Sequence, residues 1–354
     1  MTDSHDHTAH GLHAHAAEGA PANPVLAEIW RGDILECSHR GAVAVCNAAG
    51  ELVAAWGHVE RVHLPRSACK MIQALPLVDS GAADAAGLDD RHLALACASH
   101  GGAEIHTRLV ADWLAGIGLD AGALGCGVMA PDDAEMRKAL RAQGAEPTPL
   151  HHMCSGKHTG FLTLARHLGA DRGEPDYLDP ASPVQQGVRD ALAEVSDEEP
   201  QGPAIDGCSA PNFGLTLKGM ATAMARFADP AARLTGRRAE AASRLAAAMA
   251  AHPLLIGYKA SSATLLTEAS AGATATKSGA EGGFVAILPE KGLGVAVKVD
   301  DGGDRGAAAA MAAVLARLGL LDRESPAYRA TAEAPIRNFR GTLCGHVCPG
   351  PALM

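Results

Sequence analysis

Aromatic residues are nearly missing from this chain of 354 residues: three Trp, three Tyr and five Phe, 3% in all. The chain has no arginine–aromatic stripe of the kind that binds single-stranded nucleic acid by stacking. Lys and Arg (30) are outnumbered by Asp and Glu (40), so the net charge of −10 leaves no basic footprint for a polyanion. No charge-free apolar run approaches the ~20 residues that a membrane-spanning helix needs. A positively charged start followed by an apolar core is also lacking, so the N-terminus does not read as a secretory signal. Nine cysteines, an odd count without any C-x-x-C pair, give no disulfide framework and suit reduced thiols in a cytoplasmic protein.

What is present is aliphatic. Hydrophobic residues make up 47% of the chain, alanine foremost, enough for one large domain or two closely packed ones with an alanine-lined core. Residues 1–23 carry His5, His7, His10, His13 and His15 among small and polar residues, the composition of a disordered, solvated tail. Residues 24–354 read as a single unit. Short apolar runs at Ile34–Ser38, Ala42–Cys46 and Leu52–Trp56 read as strands around the turn Asn47-Ala48-Ala49-Gly50. Gly282–Leu288 and Gly294–Val299 form a second hairpin around Pro289-Glu290-Lys291-Gly292. Between these ends, apolar spacings of three and four predict helices over Arg66–Val78, His106–Ile117, Asp132–Gln143, Lys157–Leu168, Pro183–Val195, Leu217–Phe227 and Arg237–Ala251, with Arg305–Leu318 after them. The expected architecture is α+β: an antiparallel sheet from about 24–64 and 277–350, with a helical part over about 65–276.

The chemistry centres on Ser67 and Lys70. Three residues apart on a helix, they share a face, and a neutral lysine can take the proton that keeps a serine hydroxyl from acting as a nucleophile. Pro65 is a helix-start signal that places Ser67 in the first turn, where backbone N–H groups favour developing negative charge. Lys277-Ser278-Gly279 follows in the order and strand context that the S-x-x-K and K-[ST]-G pair has in penicillin-recognising serine enzymes. The residues alone therefore point to acyl transfer. Cys154 and Cys208 could meet as two soft ligands for zinc, or could simply be buried thiols. Ser155-Gly156-Lys157-His158 is not a phosphate loop, because the first glycine is missing and His158 stands where Ser or Thr is required. Cys69 reads as core, and Cys344-Gly345-His346-Val347-Cys348 as a structural terminal strand.

Five segments in order resemble a known family: Arg66-Ser67-x-x-Lys70 with Gln73-Ala74-Leu75-Pro76; Ala98-Ser99-His100-Gly101-Gly102; Cys154-Ser155-Gly156-Lys157-His158; Asp206-Gly207-Cys208-x-Ala210-Pro211; and Lys277-x-Gly279-Ala280-Glu281-Gly282. From about Val25 to Gly345 the chain is similar to the asparaginase II family, the rhizobial-type L-asparaginases. The resemblance implies a β-lactamase-like fold, a homodimer, and hydrolysis of L-asparagine to L-aspartate and ammonia. It further implies two Ser–Lys pairs, Ser67 with Lys70 and Ser99 with Lys277. Zinc would be bound by Cys154, Lys157 and Cys208, and Arg66, His158 and Asp206 would lie near the substrate. Lys70 and Lys277, crowded with each other and near a cation, should both have lowered pKa values, as a general base near pH 7 needs.

Some residues keep two readings. Ser99 fits either proton transfer or an N-cap of the following helix, and Glu281 fits either a partner for the substrate ammonium or a buried structural carboxylate. The chain departs from the family at Met153, where Asn is usual, and at Ser261-Ser262-Ala263-Thr264, where an arginine is usual. Substrate range, glutamine included, is the property those departures touch. Two other readings compete: a serine amidase or esterase acting on another acyl group, and a non-enzymatic binding module stapled by zinc.

Overall fold

Alternation along the central strands decides how the layers form. The computed structural model describes residues 22–170 and 176–354. Its strands are β1 (Val25–Arg31), β2 (Ile34–Asn47), β3 (Leu52–Trp56), β4 (Val62–His63), β5 (Gln201–Ile205), β6 (Pro211–Thr216), β7 (Ala275–Gly279), β8 (Gly283–Leu288), β9 (Leu293–Val299), β10 (Pro335–Arg337) and β11 (Leu343–Pro349). One antiparallel sheet runs in the order β10-β11-β1-β2-β9-β8-β7, with β3 paired to β2. The long β2 pairs with β1 through its first half and with β9 and β3 through its second. In that second half Ala42, Ala44 and Cys46 face one core while Val43 and Val45 face another, because successive side chains of a strand point to opposite faces. Both faces are covered, by the helix Leu217–Ala228 on one side and the helix Asp304–Arg317 on the other. Alanine permits that close layering: Ala307 to Ala310, Ala312 and Ala313 are all buried.

The α+β expectation therefore holds, with N- and C-terminal strands in one sheet and helices between. Most helices run close to their expected bounds, as at Pro183–Ser196, Leu217–Ala228 and Gly236–Ala251. Two expectations need correction. The helical middle also contains β5 and β6, which join β4 in a small sheet. The register shift between Gln201 and Ala204 interrupts the alternation by which that hairpin would be read. Arg66–Val78 is not one helix but a 3-10 turn Arg66–Cys69 followed by Lys70–Gln73 and Leu75–Asp79, with Pro76 withholding a backbone N–H at the last break. The tail expected over 1–23 lies outside the described residues except at its end. There Asn23 is buried, and its amide donates to the Asp300 carboxylate at 3.0 and 3.1 Å. Cys69 is buried as expected, and the Cys344–Cys348 segment lies in β11. No helix of the described residues is long and apolar enough to cross a membrane.

The edge strand β7 passes directly behind the turn Arg66–Cys69. A Cβ on Gly279 would stand 2.7 Å from the Pro65 carbonyl oxygen and 3.0 Å from the Ala68 nitrogen, so only glycine allows this approach. Gly279→Ala should push the turn off the strand and destabilise the fold by about 1–3 kcal/mol. A lowered midpoint in thermal or urea unfolding is the expected result, and an unchanged midpoint would show that the contact is loose.

Candidate active site

Six segments bring the candidate residues together. Strand β4 feeds Pro65 and the turn Arg66–Cys69, and Arg66 holds a left-handed φ of 52°, a backbone conformation that non-glycine residues keep only where the surroundings enforce it. The short helix Lys70–Gln73 carries Lys70, and β7 carries Lys277; each lysine is only 1% exposed. Ser99 sits in the loop after the helix Asp90–Ala96, anchored by its N–H to the Ile256 carbonyl at 2.8 Å. Cys154 opens the helix Ser155–His167, and Cys208 sits on the turn between β5 and β6, next to Ser209 with φ 69°. Gly156 lets that helix lie on its neighbour, since a Cβ there would be 2.3 Å from the Leu95 carbonyl oxygen.

The lysines converge on Ser99. Lys70 Nζ donates to Ser99 Oγ at 3.1 Å and Lys277 Nζ lies 2.9 Å from the same oxygen. Lys70 also donates to the Ala98 carbonyl and, at 3.2 Å, to Cys154 Sγ, and Lys277 donates to the Ser278 carbonyl at 2.6 Å. Burial, and after it the charge of Lys70, bring the Lys277 amine down to about 7. The expected pairing of Ser67 with Lys70 is not made: among the described residues the Ser67 hydroxyl has no hydrogen-bond partner. Ser67 occupies a 3-10 turn rather than an α-helix, and the Lys70 side chain runs to Ser99 and Cys154 instead. Ser67 does face the same cavity as Ser99, Lys277 and Ser278. Ser99 is not an N-cap, since the next helix, Glu104–Gly116, begins after Ala103. Glu281 is exposed, with φ 60° in the β7–β8 turn, so it is no buried structural carboxylate.

A sulfur cluster adjoins this centre. Lys157 Nζ donates to Cys208 Sγ at 3.0 Å. The Cys208 thiol hydrogen-bonds Cys154, and that bond, with the charges of Lys70 and Lys157, holds Cys154 well below the ordinary thiol range despite its burial, while Cys208 is raised. Burial opposes the Lys157 charge, but the two cysteines outweigh it and the amine is raised. Arg66 donates from Nε to Asp206 Oδ1 at 2.8 Å, and its NH2 lies 2.7 Å from the same oxygen. Burial raises Asp206, but the Arg66 hydrogen bond and the Lys157 charge outweigh it, so its carboxyl is lowered.

Buried neutral histidines back the site. His158, fully buried, meets the Tyr177 hydroxyl through Nδ1 at 3.0 Å, stands beside the Cys208 thiol, and is held near 4 by burial. His100 Nδ1 accepts the Gly102 N–H at 3.1 Å, so Nε2 carries the proton and donates to Ser155 Oγ at 2.9 Å. His106 stacks on His100 at 4.7 Å, accepting the Ala103 N–H and donating to the Leu254 carbonyl at 2.9 Å. The roles of His106, Tyr177 and Ser278 were not read from sequence. Ser278 was visible inside its triplet, whereas nothing marks Tyr177, which belongs to no motif. The departures Met153, Ser261 and Ser262 all line the cavity, and Ser261 caps the helix Ser262–Ala269 by accepting the Thr264 N–H at 3.2 Å.

Fold and site together describe an α+β protein with a serine–lysine cluster beside paired cysteines. Residues 27–349 match the L-asparaginase II family, nearly the whole chain, and the protein belongs to that family. The family indicates an asparaginase-type amidohydrolase acting on a small molecule. No curated protein matches the chain. Among solved structures, Mglu in its native form is 16% identical with a TM-score of 0.48, over 81% of this chain and 67% of that one. A beta-lactamase from Mycobacterium bovis is 16% identical with a TM-score of 0.41, over 78% and 94%. Both likenesses are too distant to bear on chemistry.

His100 and His106 make a prediction about acid. Burial lowers both below the 6.5 of a free histidine, so the unfolded chain binds their protons first. The stability they contribute is therefore present above pH ~6.5 and falls below it, by at most about 1.4 kcal/mol per pH unit for each histidine until its folded-state pKa is reached. Urea midpoints at pH 7.5 and 5.5 should differ accordingly, and His106→Gln should shallow the dependence. A flat profile would mean that these rings protonate freely.

Proposed function

We propose that the protein hydrolyses the side-chain amide of L-asparagine to L-aspartate and ammonia through a serine ester. The observation that carries this reading is the Ser99 hydroxyl shared by Lys70 and Lys277, one of them brought to about 7, in a cavity also lined by Ser67. Ser67 attacks the amide carbon, and its proton enters the Lys70–Ser99–Lys277 network, where Ser99 relays it. The C–N bond breaks, ammonia leaves with a proton from the network, and water hydrolyses the ester. For the oxyanion, the Arg66 N–H is committed to Asn212 at 3.3 Å and the Ala68 N–H to Pro65 at 3.0 Å. That leaves the Ser67 N–H as the donor at the start of this turn. Arg66 and Asp206 supply the paired charges that suit an amino-acid zwitterion.

The donor set at Cys154, Lys157 and Cys208 fits zinc. Two thiols and an amine converge there, and the buried His158 ring lies beside Cys208. Among the described residues no group of three His, Cys, Asp or Glu is placed to hold a metal, so the third ligand would have to be lysine. Bound there, zinc would supply positive charge that orders the thiolates, and its binding would release protons from Lys157 and the cysteine pair. A homodimer in the cytoplasm completes the proposal.

A second reading is favoured by one contact pattern: Ser99, not Ser67, lies within hydrogen-bond reach of a lysine, so Ser99 could be the attacking hydroxyl. Ammonia release from L-asparagine and L-glutamine by wild type, Ser67→Ala and Ser99→Ala, with acid-trapped ester located by peptide mass, separates the readings. The expected result is ester on Ser67 and a loss of roughly 10³-fold or more in both variants. Ester on Ser99 would exchange the roles, and no release from either amide by folded wild type would sink the amidohydrolase.

Because Lys277 must be neutral to accept a proton, kcat/KM should rise with pH to a plateau with an apparent pKa near 7. A profile that is flat between pH 6 and 8 would remove Lys277 from the base role. Cys154→Ser and Cys208→Ser should each abolish stoichiometric zinc by elemental analysis, and full zinc retention in both would reject the site.

A further inference from the structure

The cavity at the serine–lysine cluster encloses about 490 Å³. Sites that enclose ligands of drug size span about 300–1,000 Å³, and free asparagine would leave most of this one unfilled. Its two ends differ in chemistry. Ser67, Ser99, Lys277 and Ser278 form the reacting end, and Ala263, Leu265, Phe284, Ala307, Ala308 and Val347, which belong to the cores under the helix Asp304–Arg317, form a largely aliphatic end. The charged residues on its wall, Asp132, Asp304 and Arg305, are all exposed and so belong to the rim.

An asparagine zwitterion cannot sit in the aliphatic end, because two buried charges would go unpaired there. The ion pair Arg66–Asp206, adjoining Ser67 but outside the cavity lining, gives the α-ammonium and α-carboxylate a place away from that end. With the amino-acid half held there and the amide carbon at Ser67, the amide nitrogen faces the aliphatic end. The geometry points to secondary side-chain amides of aspartate, β-aspartyl amides of apolar alkyl or aryl amines, as a substrate class whose amine substituent fills that end. This rests on the amidohydrolase reading above. The step balances as it does for asparagine: the Ser67 Oγ–C bond forms, the C–N bond breaks, the amine leaves with a proton from the lysine network, and water releases L-aspartate and regenerates the serine.

The test compares kcat/KM for L-asparagine, L-aspartic acid β-(p-nitroanilide) and Nα-acetyl-L-asparagine in wild type, Ala308→Phe and Leu265→Ala. Wild type should cleave the anilide with a kcat/KM at least equal to that for asparagine. Ala308→Phe, which fills the aliphatic end, should lower the anilide value about tenfold or more while leaving asparagine within about twofold. Should that variant not fold, Leu265→Ala removes contact from the same wall and should lower the anilide value several-fold, again sparing asparagine. Turnover of asparagine without the anilide overturns the inference and leaves the proposed function standing. So does turnover of the acetylated amino acid but not the anilide, which would put the α-amino side in the cavity. An equal loss of both substrates in Leu265→Ala also overturns it, and turnover of none of the three overturns inference and function together.

Discussion

Two lysine amines share one serine oxygen in a buried site, and the rest of the site follows from the cost of that arrangement. Each amine loses its hydration, and together they repel. Lys277 answers by giving up basicity, to about 7. Lys70 instead finds partners: the Ala98 carbonyl, the Ser99 hydroxyl and the sulfur of Cys154. A serine oxygen has two lone pairs and one proton, so Ser99 can accept from both amines, or accept from one and donate to the other when that one is neutral. Burial and the neighbouring charge, not the hydroxyl, set the two lysines apart, and Lys277 is the one that can take the neutral role.

The sulfur cluster balances that charge. The Cys208 hydrogen bond, with the positive charges of Lys70 and Lys157, holds the Cys154 thiol well below its ordinary range, while Cys208 is raised. The Lys70–Cys154 contact at 3.2 Å joins the serine–lysine centre to the paired cysteines, so a change of charge in one is felt in the other. Around both, the histidines stay neutral because backbone N–H groups occupy Nδ1 of His100 and His106. Further positive charge is thereby kept out of a region that already holds two buried lysines and an arginine.

The scaffold supplies rigidity where this chemistry needs it. Lys277 lies on a strand hydrogen-bonded along its length to β8, and Gly279 sets that strand against the turn bearing Ser67. Cys154 and Lys157 share the start of one helix, held on its neighbour through Gly156. Two of the non-glycine residues with left-handed φ, Arg66 and Ser209, lie on the turns that present Ser67 and Cys208. In both places backbone strain coincides with a candidate side chain, where packing on several sides can enforce it.

The sequence by itself determined the α+β order of elements, because apolar periodicity switches from strand to helix and back at the chain ends. It also determined which residues could do the chemistry: Ser67, Lys70, Ser99, Lys277, Cys154, Lys157 and Cys208 all stand in short ordered segments with Gly, Ser or Pro beside them. Only the tertiary structure decided how they pair. Spacing of three placed Ser67 with Lys70, but the left-handed Arg66 replaced an α-helical start by a 3-10 turn, and Lys70 turned to a loop 28 residues away at Ala98. Burial of Lys277, the partnering of Cys154 with Cys208, the ring of neutral histidines and the aliphatic end of the cavity all depend on contacts between segments far apart in the chain. Local periodicity cannot encode those, because it records which way a side chain points along its own element and not what another element places opposite it.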